Sequence, residues 1–145
     1  MKKSFTMLEL IFVIVIIGIL AAIAMPKLWV TRDDAVIAKA RTQVGSIRSS
    51  IANAYSKNII NGENECPELE GNENDYVFEN ILKPYPIKSN QKEINWTLDA
   101  NNSNETNYTV TINGLSTVFT YEKNTSASCP FKCNQQDQLC KELTD

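Results

Sequence analysis

The chain has 145 residues, with 14 Lys and Arg against 17 Asp and Glu, a formal net charge of -3, and no histidine. This length suits one modest domain with an appendage. The acidic balance argues against a dedicated nucleic-acid binder, which needs a clustered basic surface to displace counterions from phosphate. Without histidine, histidine-based triads, acid–base pairs and metal ligands are excluded.

The N-terminal segment is apolar and follows two lysines. Between Phe5 and Met25 the only charged residue is Glu9. About 20 apolar residues cross a ~30 Å hydrocarbon core as a helix. Because Lys2 and Lys3 precede the segment, the positive-inside bias predicts a single pass with the N-terminus in the cytoplasm and the remainder outside.

Two interpretations of this segment compete. An ordinary signal peptide would be cut near the small residues of Ala22-Ile23-Ala24 and would release a soluble secreted domain. Alternatively, the mature protein retains the segment. A carboxylate inside an apolar run costs about 2.5–3.5 kcal/mol on insertion scales, and a disposable signal gains nothing from it. Glu9 therefore favours a retained segment that uses the charge as an assembly contact.

The first 26 residues combine a short basic leader, an aromatic Phe5, a glutamate at position 9, a long apolar run and Pro26 at its end. This pattern resembles the N-terminus of type IV pilins and type II secretion pseudopilins. The resemblance implies that a prepilin peptidase cuts between Ser4 and Phe5 and methylates the new amino terminus of Phe5. Ser4 departs from the family, which usually has glycine before the cut.

The resemblance also implies how the protein assembles. Glu9 of an incoming subunit would pair with the Phe5 amine of its neighbour in a helical filament of this or other pilins. An inner-membrane assembly platform would be a further partner. The protein would start as a single-pass protein of the bacterial inner membrane and end in a periplasmic or cell-surface filament. No enzyme activity, cofactor or metal is expected.

Beyond the apolar run the pattern becomes amphipathic. Pro26 should kink the helix because it lacks a backbone donor and clashes with the preceding turn. The helix should continue over residues 26–61, with Asn61-Gly62 as its C-cap. Apolar residues recur there at spacings of three and four, namely Ile37, Ala40, Val44, Ile47, Ile51 and Ala54.

The remainder, residues 62–145, predicts a small globular head. Residues 62–75 are acidic and favour a solvated loop over a calcium site, since the spacing matches no EF-hand. Residues 76–89 suggest a short helical turn and a proline-fixed loop. Alternating apolar residues then predict three antiparallel strands, and Asn113-Gly114 predicts a type I′ hairpin.

The expected fold is therefore α+β and pilin-like, with a long N-terminal helix packed on a small antiparallel β-meander. Its parts are a leader (residues 1–4), a membrane and assembly helix (5–25), an amphipathic helix (26–61) and a head (62–145). Three antiparallel strands cannot bury both faces alone, so one face should rest on the amphipathic helix.

The four cysteines, Cys66, Cys129, Cys133 and Cys140, all lie on the side predicted to be exported. Disulfides are the first interpretation, and a thiolate zinc site is the rival. We favour Cys66 joined to one of the three C-terminal cysteines, with the other two joined locally. By the family resemblance, a pair between Cys129 and Cys140 would close a C-terminal loop.

Five Asn-x-Ser/Thr triplets lie within residues 93–126, and four have an acid two residues before the asparagine. This resembles the extended acceptor of bacterial N-glycosylation. Alternatively, the triplets have no role in glycosylation and arise because the strands are rich in Asn and Thr. The four candidate sites are Asn95, Asn101, Asn107 and Asn124, and the fifth triplet begins at Asn104.

Two classes of function remain open at this stage. The first is a structural fibre subunit of a type IV pilus, a secretion pseudopilus or a DNA-uptake filament. The second is the soluble secreted domain, for which the sequence supplies no convincing catalytic set. By the family resemblance, a major secretion pseudopilin would carry an aspartate-rich calcium loop near its C-terminus. The tail of this chain lacks such a loop, so a major pseudopilin is the less favoured of the filament subunits.

Overall fold

The computed structural model describes residues 6–123 and 128–145, and for residues 25–31 it describes the backbone only. By contacts the chain divides into two compact units, Met1–Ala35 and Val36–Asp145. The helices are α1 (Met7–Ile60) and α2 (Gln138–Thr144). The strands are β1 (Tyr76–Val77), β2 (Ile87–Lys88), β3 (Ile94–Asn101), β4 (Glu105–Ile112), β5 (Leu115–Glu122) and β6 (Phe131–Cys133).

Helix α1 begins at a capping residue. The Glu9 backbone N–H donates to Thr6 Oγ1 at 3.3 Å, and the Leu10 N–H donates to the Thr6 carbonyl at 3.2 Å. Thr6 and Glu9 stand three residues apart, which is the spacing of a capping box. The Thr6 cap places Glu9 in the first turn of the helix.

The C-terminus of α1 is a Schellman motif. Gly62 has φ +85°, a conformation that glycine adopts without steric cost. The Gly62 N–H donates to the Ile59 carbonyl at 3.0 Å, and the Glu63 N–H donates to the Asn58 carbonyl at 2.9 Å. These two bonds satisfy carbonyls that the helix end leaves free. The predicted cap at Asn61-Gly62 is confirmed.

The sheet in the second unit has four antiparallel strands in the order β3-β4-β5-β6. Strands β4 and β5 are joined by a two-residue turn in which Asn113 and Gly114 have φ values of 51° and 83°. Two positive φ values define the type I′ hairpin that the sequence predicts. The three predicted strands are confirmed, and β6 is an addition to them.

The core of the second unit lies between α1 and one face of this sheet. The Trp96 Nε1–H donates to Gln43 Oε1 at 3.0 Å, which links the edge strand β3 to the helix. The α1 residues buried in this core are Val36, Ala40, Val44, Ile47 and Ile51. Ile37 and Ala54, the ends of the predicted stripe, are half-buried. The fold is therefore the α+β, pilin-like arrangement that the resemblance implies.

Two segments differ from the sequence-based expectation. In residues 76–89 the predicted turn is present, with the Leu82 N–H donating to the Phe78 carbonyl at 3.0 Å, but strands β1 and β2 flank it and pair antiparallel, with Val77 opposite Ile87. The C-terminal region folds into β6 and α2 instead of forming only a loop. Both differences have the same cause, because elements of two to seven residues are held by tertiary packing rather than by local periodicity.

Candidate functional site

The apolar part of α1 has no core of its own within the described chain. Every side chain from Met7 to Ala24 is exposed, and none of this 18-residue window is buried. Ile16 is still 41% exposed and Leu8 81%. A continuous apolar surface of this kind must be covered by lipid or by other protein. By length and composition the window can cross a membrane, although a signal sequence passes the same test.

Glu9 is the one ionisable residue of this window, and it lies in the first turn of α1. Its carboxylate is exposed on the apolar surface. A carboxylate in a low-dielectric setting needs a cationic partner or strong hydrogen-bond donors. The predicted partner, the Phe5 amine, lies with Ser4 outside the described residues, so their pairing and the cleavage site stay predictions.

A comparison with known protein families finds a match at the N-terminus. Residues 1–25 match the model described as the prokaryotic N-terminal methylation motif. The chain carries a prepilin-type signature. This is the signature of type IV pilins and pseudopilins. The matched residues include the whole apolar window and Glu9. No curated protein and no solved structure matches the chain.

Pro26 directly follows the matched segment. The backbone is helical there, within the uninterrupted α1. The kink predicted at Pro26 stays a prediction.

All four cysteines are paired in two disulfides. Cys66 is joined to Cys129, with their Cα atoms 5.5 Å apart, and Cys133 is joined to Cys140 at 5.8 Å. This is the arrangement favoured from the sequence, one long-range bridge and one local bridge. The Cys129–Cys140 pair suggested by the family resemblance is wrong. Helix α2 folds back so that its first turn carries Cys140 to the strand residue Cys133, while Cys129 meets the segment after α1.

The acidic segment (residues 62–75) is only partly a solvated loop. Glu70 Oε1 accepts hydrogen bonds from the Tyr108 hydroxyl at 2.6 Å and from the Phe78 N–H at 3.1 Å. Burial raises the pKa of the Glu70 carboxyl above its ordinary value, and these two hydrogen bonds oppose that shift. The pKa of the Tyr108 hydroxyl is raised by its burial and by the neighbouring carboxylate.

The same segment contributes to the core and to an ion pair. Leu69 is 1% exposed, and Glu68 bonds the Lys123 ammonium at 3.0 Å. The Tyr121 hydroxyl donates to the Pro67 carbonyl at 2.8 Å. Within residues 6–123 and 128–145, no group of three or more Asp, Glu or Cys side chains is placed to hold a metal ion.

The glycosylation triplets fall in different surroundings. Asn101 is exposed at the end of β3, and Asn104 is exposed in the turn that follows. Asn95 and Asn107 are half-buried inside strands β3 and β4. Asn124 lies outside the described residues. The sequence alone did not rank the four triplets that are preceded by an acid, because exposure depends on strand register and sheet order.

Proposed function

We propose that the chain is a structural subunit of a type IV pilus or of a type II secretion-like pseudopilus. A prepilin peptidase cuts it between Ser4 and Phe5 and methylates Phe5. The mature subunit then enters a helical filament of itself or other pilins through its N-terminal helix. An inner-membrane platform carries out the assembly.

The observation that carries this proposal is the coincidence of the methylation motif with an exposed apolar helix. The motif covers residues 1–25, and the exposed window covers Met7–Ala24. The second unit, Val36–Asp145, has a hydrophobic core of its own. The apolar window is therefore available to lipid before assembly and to neighbouring helices after it.

The charge at position 9 supplies the assembly contact in this account. Once the leader is removed, Phe5 starts the chain with a cationic amine. Glu9 of an incoming subunit meets the amine of its neighbour where water is excluded. Leaving either charge without its partner there costs about 3 kcal/mol or more. That cost corresponds to roughly a hundredfold in an association constant.

Substitutions at Glu9 test the contact, because charge and helix capping can be separated there. Glu and Gln both serve at this position of a capping box. Glu9→Gln and Glu9→Leu both remove the charge, and both keep the backbone N–H that donates to Thr6 Oγ1 and so keep the start of α1. We expect both variants to reach the membrane at wild-type levels and to enter filaments at least about a hundredfold less.

Glu9→Asp is the matched control because it keeps the carboxylate. It should assemble better than Glu9→Gln, measured as the filament-to-membrane ratio of the subunit by immunoblot. Normal filament levels of Glu9→Gln would contradict the pairing. Loss of membrane insertion in Glu9→Gln would show that the residue acts on the helix itself.

The choice among filament classes needs a cellular experiment. Deletion of the gene should be scored for surface fibres, for protein secretion and for DNA uptake in the same strain. Loss of surface fibres alone assigns the subunit to a type IV pilus, and loss of secretion alone assigns it to a pseudopilus. Loss of DNA uptake with neither of these assigns it to a DNA-uptake filament.

A further inference from the structure

The turn between β3 and β4 presents one complete acid-x-Asn-x-Ser acceptor at the surface. The sequence is Asp99-Ala100-Asn101-Asn102-Ser103, called here the hairpin acceptor. Four of these residues are exposed and Ala100 is half-buried. Strand β3 lies at the edge of the four-stranded sheet, and its register shifts between Leu98 and Ala100. An enzyme can therefore approach this segment without opening the sheet.

The amide of Asn101 is held in one orientation. Its Oδ1 accepts hydrogen bonds from the Lys123 ammonium at 2.8 Å and from the Thr106 hydroxyl at 2.9 Å. Because an ammonium group only donates, the amide atom facing Lys123 is the oxygen. The nitrogen Nδ2 occupies the other arm of the planar amide. An N-linked sugar leaves the amide oxygen as an acceptor, so both hydrogen bonds persist after modification.

The other described triplets lack one or more of these properties. Asn107 lies on β4, which is paired on both sides, and its Oδ1 is buried without a hydrogen-bond partner. Asn95 is half-buried and its Oδ1 accepts the Asn90 N–H at 2.9 Å, next to the fully buried Trp96. Asn104 is exposed, but Asn102 rather than an acid stands two residues before it.

We propose that Asn101 of the folded head is an N-glycosylation site. The donor class is a lipid-linked glycosyl pyrophosphate, used by an oligosaccharide transferase on the exported side of the membrane. The bond between sugar C1 and the pyrophosphate oxygen breaks, and a C1–Nδ2 bond forms. The lipid pyrophosphate leaves with the electron pair, and Nδ2 loses one proton to a base of the transferase.

Asp99 contributes recognition of the acceptor. Its carboxylate is exposed and accepts hydrogen bonds from the hydroxyls of Thr97 and Thr109, which fix it beside the hairpin. A carboxylate so held can pair with a cationic group of the transferase through a charge-assisted hydrogen bond. Asp99→Asn removes the charge, keeps an oxygen for one of the two hydroxyls and places an amide nitrogen, which can donate, beside the other. We expect about tenfold lower occupancy of Asn101.

The test is intact mass and glycopeptide mapping of the full-length exported protein from its own organism. We expect one added glycan, located on Asn101. Asn101→Gln and Ser103→Ala should remove it, and Ser103→Thr should keep it because it keeps the hydroxyl. Asn104→Gln and Asn107→Gln should also keep it. Mapping of the wild-type protein locates the site even if a variant fails to fold.

Absence of any added sugar mass on the wild-type protein would overturn the proposal. So would a glycan on Asn95 or Asn107, since their modification requires an unfolded acceptor. Full occupancy in Asp99→Asn would remove the role given to the acid. The proposal needs only export of the head, so its outcome is independent of filament assembly and of the tests at Glu9.

Discussion

At the scale of single residues, the least expected feature is a carboxylate set against the aromatic core. The Tyr108 ring is fully buried and stacks on Phe78 with centroids 4.3 Å apart, while its hydroxyl donates to Glu70. Phe78 has φ 62°, an uncommon conformation for a bulky residue, and its N–H also donates to Glu70. One side chain of the acidic segment thus satisfies two groups that would otherwise be buried without partners.

Glu70→Gln should change how stability depends on pH. Burial raises the pKa of the Glu70 carboxyl. In the folded state this carboxyl therefore keeps its proton at pH values at which an ordinary glutamate has already lost it. The folded state therefore binds more protons than the unfolded chain, and this group lowers the free energy of unfolding as pH rises through that range. Glutamine removes this contribution. The stability of Glu70→Gln relative to wild type should increase as pH rises above the ordinary glutamate pKa of about 4.3.

The measurement is denaturant unfolding of the full chain in detergent, followed by the near-ultraviolet circular dichroism of the aromatic cluster. Glu63→Gln, which removes the same charge from an exposed position, is the control. A stability difference for Glu70→Gln that is constant or falls with pH would show that the carboxyl titrates alike in both states.

At the scale of elements, the C-terminal helix α2 is held against the rest of the second unit by several contacts. Leu139 and Leu143 are buried against the core, and the Arg41 guanidinium of α1 donates to the Glu142 carbonyl at 2.9 and 2.6 Å. The Asp137 carboxylate, just before α2, accepts the Thr117 hydroxyl at 3.0 Å. A seven-residue helix is not stable alone, so these contacts and the Cys133–Cys140 bridge hold it.

The two disulfides should contribute unequally to stability. The bridge between Cys66 and Cys129 joins residues 63 apart in sequence, whereas that between Cys133 and Cys140 joins residues 7 apart. Loop-closure entropy predicts about 4 kcal/mol for the long loop and about 2.5 kcal/mol for the short one. In the same unfolding experiment, we therefore expect a larger loss of stability for Cys66→Ala/Cys129→Ala than for Cys133→Ala/Cys140→Ala. Equal losses, or a larger loss for the short loop, would contradict this ranking.

The sequence predicted those elements whose signals are local. Alternation and Asn113-Gly114 placed three strands and their turn, and the helical spacing placed the face of α1 that meets the sheet. Strand β6 was missed because three residues carry no readable period. Helix α2 left only a weak signal, an aspartate at its N-cap and leucines at positions 139 and 143. Contacts distant in sequence, such as Tyr108 with Glu70, leave no local pattern.

At the scale of the whole molecule, the two contact units differ in what covers their apolar residues. In Val36–Asp145 the apolar side chains of α1 and the sheet cover one another. In Met7–Ala24 they are exposed. An exposed apolar surface of this extent is stable only where lipid or other protein covers it. The methylation motif, at residues 1–25, spans this same segment.

The most direct measurement is the N-terminal sequence and mass of the protein recovered from its own organism. We predict a mature chain that begins at Phe5, carries a methyl group on its amino terminus and fractionates with membranes or filaments. A water-soluble product that begins at Met25 would contradict the account, because the apolar helix and Glu9 would then be absent from the working protein.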